Sequence, residues 1–170
     1  MQATDVLQDG FGRVRTLVRN AGTGLGPEAL AFRPGPEANS IAWLLWHLTR
    51  VQDSHVAEII GQDQLWASGE WAAALGRPPD PSDTGYGHSS EEVAGVRPHR
   101  PDPLLDYHEA VVGRTSAWLS SASEEQLERI IDRNYDPPVS VGVRLVSVIS
   151  DNLQHAGQAL YVRGIVESTG

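Results

Sequence analysis

The sequence predicts an all-α protein, a four-helix bundle. Apolar residues recur at spacings of three and four in four long segments, the signature of one buried stripe per helix. No segment shows the sustained apolar–polar alternation of a half-buried strand. With 170 residues the chain is long enough for one domain, residues 1–170, with a real core.

The first helix is expected from Thr4 to about Asn20, on a stripe of Val6, Leu7, Phe11, Val14, Leu17 and Val18. Asn20-Ala-Gly-Thr-Gly-Leu-Gly-Pro is a stop signal, and residues 21–39, with four Gly and three Pro, read as a connecting loop. Ser40 is a plausible N-cap for a second helix that runs to about Ile60 and ends at Gly61. Residues 62–75 read as a short helical piece carrying Trp66 and Trp71, and residues 76–102 as a long Pro/Gly/Asp/Ser-rich loop.

A third helix is expected from about Pro103 to Ser120, with Leu104, Tyr107, His108, Val111 and Leu119 on its apolar side. Ser123-Glu-Glu-Gln126 is a capping box that opens a short helix to about Ile131, and Pro137-Pro138 breaks the chain. The last helix runs from about Val141 to Glu167. Its seam is Leu145, Val148, Asn152, His155, Ala159 and Val162, polar in the middle of an apolar stripe.

Composition excludes several functions. The net charge of −9 argues against nucleic acid, because phosphate binding needs a basic face. No apolar run reaches the ~18 residues a membrane helix needs, and the N-terminus lacks the basic start and apolar stretch of a signal peptide. A cytoplasmic location is therefore expected. With no Cys, the chain has neither a disulfide nor a thiolate of its own. All 13 basic residues are Arg, so no lysine can form a Schiff base. GxGxxG, P-loop, HExxH and GxSxG motifs are all absent.

Chemistry concentrates on His47, Asp151 and His155. The last two lie four apart on a helix, ~6 Å of rise and about 400° of turn, so both leave the same face. His47 sits in the second helix among Leu44, Leu45, Leu48 and Val51. Two imidazoles and a carboxylate converging in a bundle would make a three-ligand divalent metal site with open positions. Each part has a plainer reading. A lone His on an apolar face is commonly a buried, hydrogen-bonded side chain, and Asp-x-x-x-His is commonly a surface helix pair.

Of the other histidines, His55 lies ~12 Å further along the helix than His47 and about 80° around it. It is read as structural or as part of a second polar patch. His88 and His99 fall in the long loop and are not expected to be ligands. His108 is a candidate fourth ligand. Asn152 and Gln158 are candidate donors behind the ligands, and one of Trp43 and Trp46 is expected to line a pocket above His47. Arg50 and Arg163 are candidates for holding a substrate carboxylate.

Asn39-Ser-Ile-Ala-Trp-Leu-Leu-Trp-His-Leu48, with Pro34-Gly-Pro-Glu37 just before it, resembles the second helix of the DinB-like superfamily. Val146-Ser-Val-Ile-Ser-Asp-Asn-Leu-Gln-His-Ala-Gly-Gln-Ala-Leu-Tyr-Val-Arg-Gly164 resembles its last helix. More narrowly, the chain resembles the DUF664 branch, near the N-terminal domains of mycothiol-dependent maleylpyruvate isomerases. The resemblance implies an up-down-down-up topology. It also implies a divalent metal, zinc or nickel, held by His47 and by the pair in the last helix. A carboxylate at the position of Asp151 is the arrangement of the mycothiol isomerases.

Relatives of known activity mostly use low-molecular-weight thiols such as mycothiol, and are often dimeric. The expectation is a metal-dependent S-transferase joining such a thiol to a small electrophile held under the 76–102 loop, acting as a homodimer. The chain lacks the further C-terminal domain of the isomerases, so their reaction itself is not expected. A metal-dependent hydrolase and a non-enzymatic metal-binding stress protein are the alternatives.

Overall fold

The computed structural model describes residues 1–68 and 70–169. Four long helices dominate: α1 (Ala3–Gly22), α3 (Ile41–Ile60), α7 (Asp102–Leu119) and α9 (Val141–Thr169). Between them lie the short helices α2 (Pro27–Ala31), α4 (Leu65–Ser68), α5 (Trp71–Ala74), α6 (Ser90–Ala94) and α8 (Glu124–Glu128).

Side-chain pairs fix the helix directions. Arg15 meets Glu109 and Gly22 meets Leu105, so α1 and α7 are antiparallel. Thr49 meets His108 and Gln52 meets Thr115, so α3 and α7 are parallel. His47 meets His155 and His55 meets Arg144, so α3 and α9 are antiparallel. A Cβ on Gly10 would meet Ile149 at 2.8 Å, and Arg163 donates to the carbonyls of Asn20 and Thr23, so α1 and α9 are parallel and close. The long helices therefore run up, down, down, up.

Sequence signals explain the helix ends. The Ser40 hydroxyl accepts from Trp43 N–H at 3.1 Å, closing the first turn of α3. Gly61 ends that helix at φ 66°, a left-handed conformation that a Cβ would strain.

Two apolar clusters fill the bundle. One gathers Val14, Val18, Leu44, Leu45, Leu48, Trp66, Leu104, Tyr107 and Val111. The other gathers Leu7, Phe11, Val56, Ile59, Leu119, Leu145 and Val148. A buried polar rung lies between them. Asn152 Nδ2 donates to Gln52 Oε1 at 2.9 Å, and Gln52 Nε2 donates to Thr115 Oγ1 at 2.9 Å. Thr115 passes its own proton to the Val111 carbonyl at 2.8 Å.

The connections hold more structure than expected. Residues 21–39 contain α2, whose Pro27 stands in the first turn, where its missing N–H costs nothing. The 76–102 segment contains α6, opened by a Ser89/Glu92 capping box. The helix after Ser123 stops at Glu128 rather than Ile131. Ile130–Asp132 instead pairs antiparallel with Val139–Ser140 in a two-stranded ribbon. The β-branched Ile130 and Ile131 favour extended backbone there. Among the described residues, no helix is long and apolar enough to cross a membrane.

Candidate metal centre

Residue 47 of α3 faces residues 151 and 155 of α9, because the two helices pack antiparallel along the seam that carries them. His47, Asp151 and His155 each offer one ligand atom, and these atoms lie within 4.8 Å of one another. His155 Nε2 is 3.5 Å from Asp151 Oδ1. The imidazoles of His47 and His155 meet edge to face, with centroids 4.8 Å apart.

The hydrogen bonds behind the imidazoles fix their tautomers. His47 Nδ1 lies 2.5 Å from the Thr84 carbonyl oxygen, which can only accept, so Nδ1 carries the proton. His155 Nδ1 donates to Gln158 Oε1 at 2.9 Å for the same reason. Both Nε2 lone pairs are left for a ligand. Metal-binding histidines are held in this way, with the far nitrogen donating to a carbonyl.

Asp151 Oδ2 is buried with no hydrogen-bond partner. An unpaired buried carboxylate oxygen is costly, and a cation beside it removes the cost. The neutral His, His, carboxylate set matches a divalent ion at ~2.0–2.2 Å from nitrogen or oxygen ligands. The residues present therefore fit a metal.

The electrostatics differ between the two imidazoles. Burial holds the His47 imidazole below its ordinary pKa and so favours the neutral form a ligand needs. The Asp151 carboxylate beside Nε2 raises His155 and so favours a proton there, which a cation bound between the two would displace. Burial pulls the Asp151 carboxyl up, but His155 beside it and the nearby His47 bring it below the usual range.

Trp43 covers the site. Its indole stacks on the His47 imidazole, centroids 4.5 Å apart and planes 11° from parallel. Trp46 packs behind, against Trp66 and under the Arg77 guanidinium. The loop after Arg77 passes over both rings. At Gly85, with φ 89°, a Cβ would lie 2.8 Å from Trp46, 3.0 Å from His47 Nδ1 and 3.1 Å from Trp43. Only glycine lets the backbone come this close.

Several expectations need correction. Asn152 does not support the ligands; it points the other way, into the core rung with Gln52. Gln158 does support His155, as an acceptor rather than a donor. Arg50 is not available to a substrate carboxylate, since it is fully buried. It donates to the carbonyls of Asp83 and Pro81, to Gln64 and to the Tyr107 hydroxyl. Arg163 is engaged with Asn20, Thr23 and Glu167. His108 is no fourth ligand: it is buried away from the three, with Nδ1 3.2 Å from the Thr49 hydroxyl. His99 is exposed, outside the cluster.

His55 forms the second polar patch. Its Nδ1 accepts from Arg144 at 2.9 Å, and Arg144 also holds Asp132 at 3.1 Å. Glu58 lies 3.8 Å from the same nitrogen, but a nitrogen that accepts from Arg144 carries no proton to pair with it. The neutral form is favoured as well by burial and by Arg144, which both lower the His55 pKa.

Sequence reasoning missed Asp53, Tyr107, Asp83 and His88. Asp53 accepts from the Leu65 and Trp66 N–H groups and from the Tyr107 hydroxyl at 2.7–3.0 Å, so it caps α4 beneath the loop. A buried Asp three residues after an Arg on one helix was the available signal. His88 sits against both tryptophans, and nothing local in its loop sequence marks it.

The chain belongs to the DinB superfamily, whose match spans residues 11–159 and includes all three candidate ligands. Members of that superfamily bind divalent metals. The structure is similar to the crystal structure of a conserved protein from Enterococcus faecalis, with 32% identity, 99% of both chains covered and a TM-score of 0.90. No curated protein matches the chain significantly.

Proposed function

We propose that the protein is a metal-dependent enzyme of the DUF664 branch, near the mycothiol-dependent isomerases, that transfers a low-molecular-weight thiol such as mycothiol to a small electrophile. His47 Nε2, His155 Nε2 and an Asp151 oxygen would hold one divalent ion, zinc or nickel. The observation that carries this reading is the convergence of two Nδ1-pinned imidazoles on a buried, unpaired carboxylate oxygen.

The ion supplies Lewis acidity that lets a thiol ionise near neutral pH. The chain supplies the rest. Asp151 contributes one negative charge and the neutral imidazoles none, so the centre keeps a net +1 that favours an anionic thiol. Trp43 and the Gly85 backbone wall the site against water on the His47 side. With no Cys, the protein's own residues cannot provide the sulfur.

Water activation finds less support. The nearest further imidazole, His88, has Nδ1 occupied by the Trp43 N–H and Nε2 by Asp83, so it offers no general base. This favours thiol transfer over hydrolysis.

A thermal-shift series on metal-loaded protein tests the reading. Mycothiol or cysteinyl-glucosamine should raise the Tm, and the S-methylated thiol should lose most of the effect. A ligand at 100 times its Kd adds about 2.7 kcal/mol. Identical behaviour of free thiol, methylated thiol and buffer would move the hydrolase or the non-enzymatic metal-binding reading ahead.

A further inference from the structure

We propose that Asp83 and His88 are positioning residues for the metal centre, acting on His47 through the Trp43 indole. This inference rests on the metal reading of the site. The indole N–H of Trp43 donates to His88 Nδ1 at 3.1 Å. Because that nitrogen accepts, the imidazole proton is on Nε2, where it is donated to Asp83 Oδ1 at 2.9 Å. The other Asp83 oxygen accepts from Arg77 at 2.9 Å. His88 is also stacked on Trp46, centroids 5.5 Å apart and planes 18° from parallel, which prevents it from tilting. The array has one direction: Asp83 orients His88, His88 fixes the Trp43 indole, and the indole lies on His47.

Two consequences follow for His47. The first is geometric. Its Nδ1 is tied to Thr84, the residue after Asp83, and one ring face is covered by Trp43. The Nε2 lone pair is thus aimed before any ion arrives, and the ordering cost of binding falls. The second is electronic. An acceptor on the indole N–H pushes electron density into the ring and makes its face more negative. That face stabilises the positive charge His47 takes on when Nε2 ligates a cation. Asp83 and His88 touch no ligand atom, and their effect passes through the stack.

A purely structural role makes a different prediction. If the array only tied down the loop, its loss would lower the Tm of metal-free protein and leave metal affinity unchanged. The test is titration with cobalt(II), read by its absorption spectrum, together with zinc competition, on wild type, His88→Leu, His88→Asn, Trp43→Phe and the control His99→Gln. Partners behind a metal ligand are typically worth about 10- to 100-fold in affinity. His88→Leu and Trp43→Phe should lose that much. The phenylalanine variant keeps an aromatic ring beside His47 but loses the N–H together with part of the indole's area, so it is read against the His88 pair. His88→Asn keeps an acceptor at the Nδ1 position for the indole and should recover most of the loss, and His99→Gln should match wild type.

Wild-type affinity in both His88→Leu and Trp43→Phe, whatever their Tm, would overturn the inference. If His88→Leu fails to fold, His88→Ala takes its place beside Trp43→Phe, and wild-type affinity in both overturns the inference. A wild-type protein that binds neither cobalt nor zinc would overturn the metal reading, and the inference with it, before any variant is compared.

Discussion

His155 Nδ1 donates to Gln158 Oε1 across one helical turn, and this leaves the opposite nitrogen of the same imidazole 3.5 Å from Asp151. One helix thus supplies a ligand pair and the acceptor that aims half of it. The neighbouring helix supplies only His47 and depends on a distant loop for the equivalent acceptor.

His155→Ala should abolish stoichiometric zinc binding, measured by elemental analysis after dialysis against the metal, while His55→Ala should retain it. His55 is the useful comparison because it lies on the same helix as His47, yet its Nδ1 is taken by Arg144. Equal loss from both substitutions would remove the assignment of the three ligands.

Gly85→Ala should destabilise the protein by at least about 1–3 kcal/mol in urea unfolding, through a left-handed backbone and a Cβ crowding Trp46, Trp43 and His47. Gly12→Ala is the counterpart. Gly12 sits inside α1 and a Cβ there meets nothing within 4 Å, so alanine should stabilise by roughly 0.5–1 kcal/mol. A neutral Gly85→Ala would mean that the loop does not press on the site.

Burial pushes the His108 imidazole down to about 4, against an unfolded value near 6.5. Between those values the unfolded chain binds a proton that the folded chain refuses. The contribution of His108 to stability is therefore intact above about pH 6.5, declines as pH falls, and levels off below about 4. The slope for one proton is about 1.4 kcal/mol per pH unit. The stability difference between wild type and His108→Asn should change with that sign across the window; a flat difference would place the proton elsewhere.

Asp53→Ala should cost about 3–5 kcal/mol, because it takes the carboxylate countercharge from the buried Arg50 guanidinium and leaves the Leu65 and Trp66 N–H groups without their acceptor. Arg50→Met in the Asp53→Ala background should cost less than in wild type. Additivity of the two substitutions in denaturant unfolding would show that the pair is not coupled.

The sequence by itself determined the four long helices, their caps at Ser40 and Gly61, and the shared helix face of Asp151 and His155. Those features follow from local rules: apolar spacing, side-chain capping, and the one-turn offset between Asp151 and His155. The tertiary structure alone decided what surrounds them. Asn152 and Gln158 looked alike in sequence, both polar and beside the ligand pair. Helix rotation turned one into the core and left the other behind His155. Arg50 looked like a substrate contact and became the buried anchor of the loop. Thr84 and Gly85 reach His47 across some 37 to 38 residues of chain. No helical period relates a loop residue to a helix face, so that approach is set only when Arg50, Arg77 and Asp83 pin the loop against the bundle.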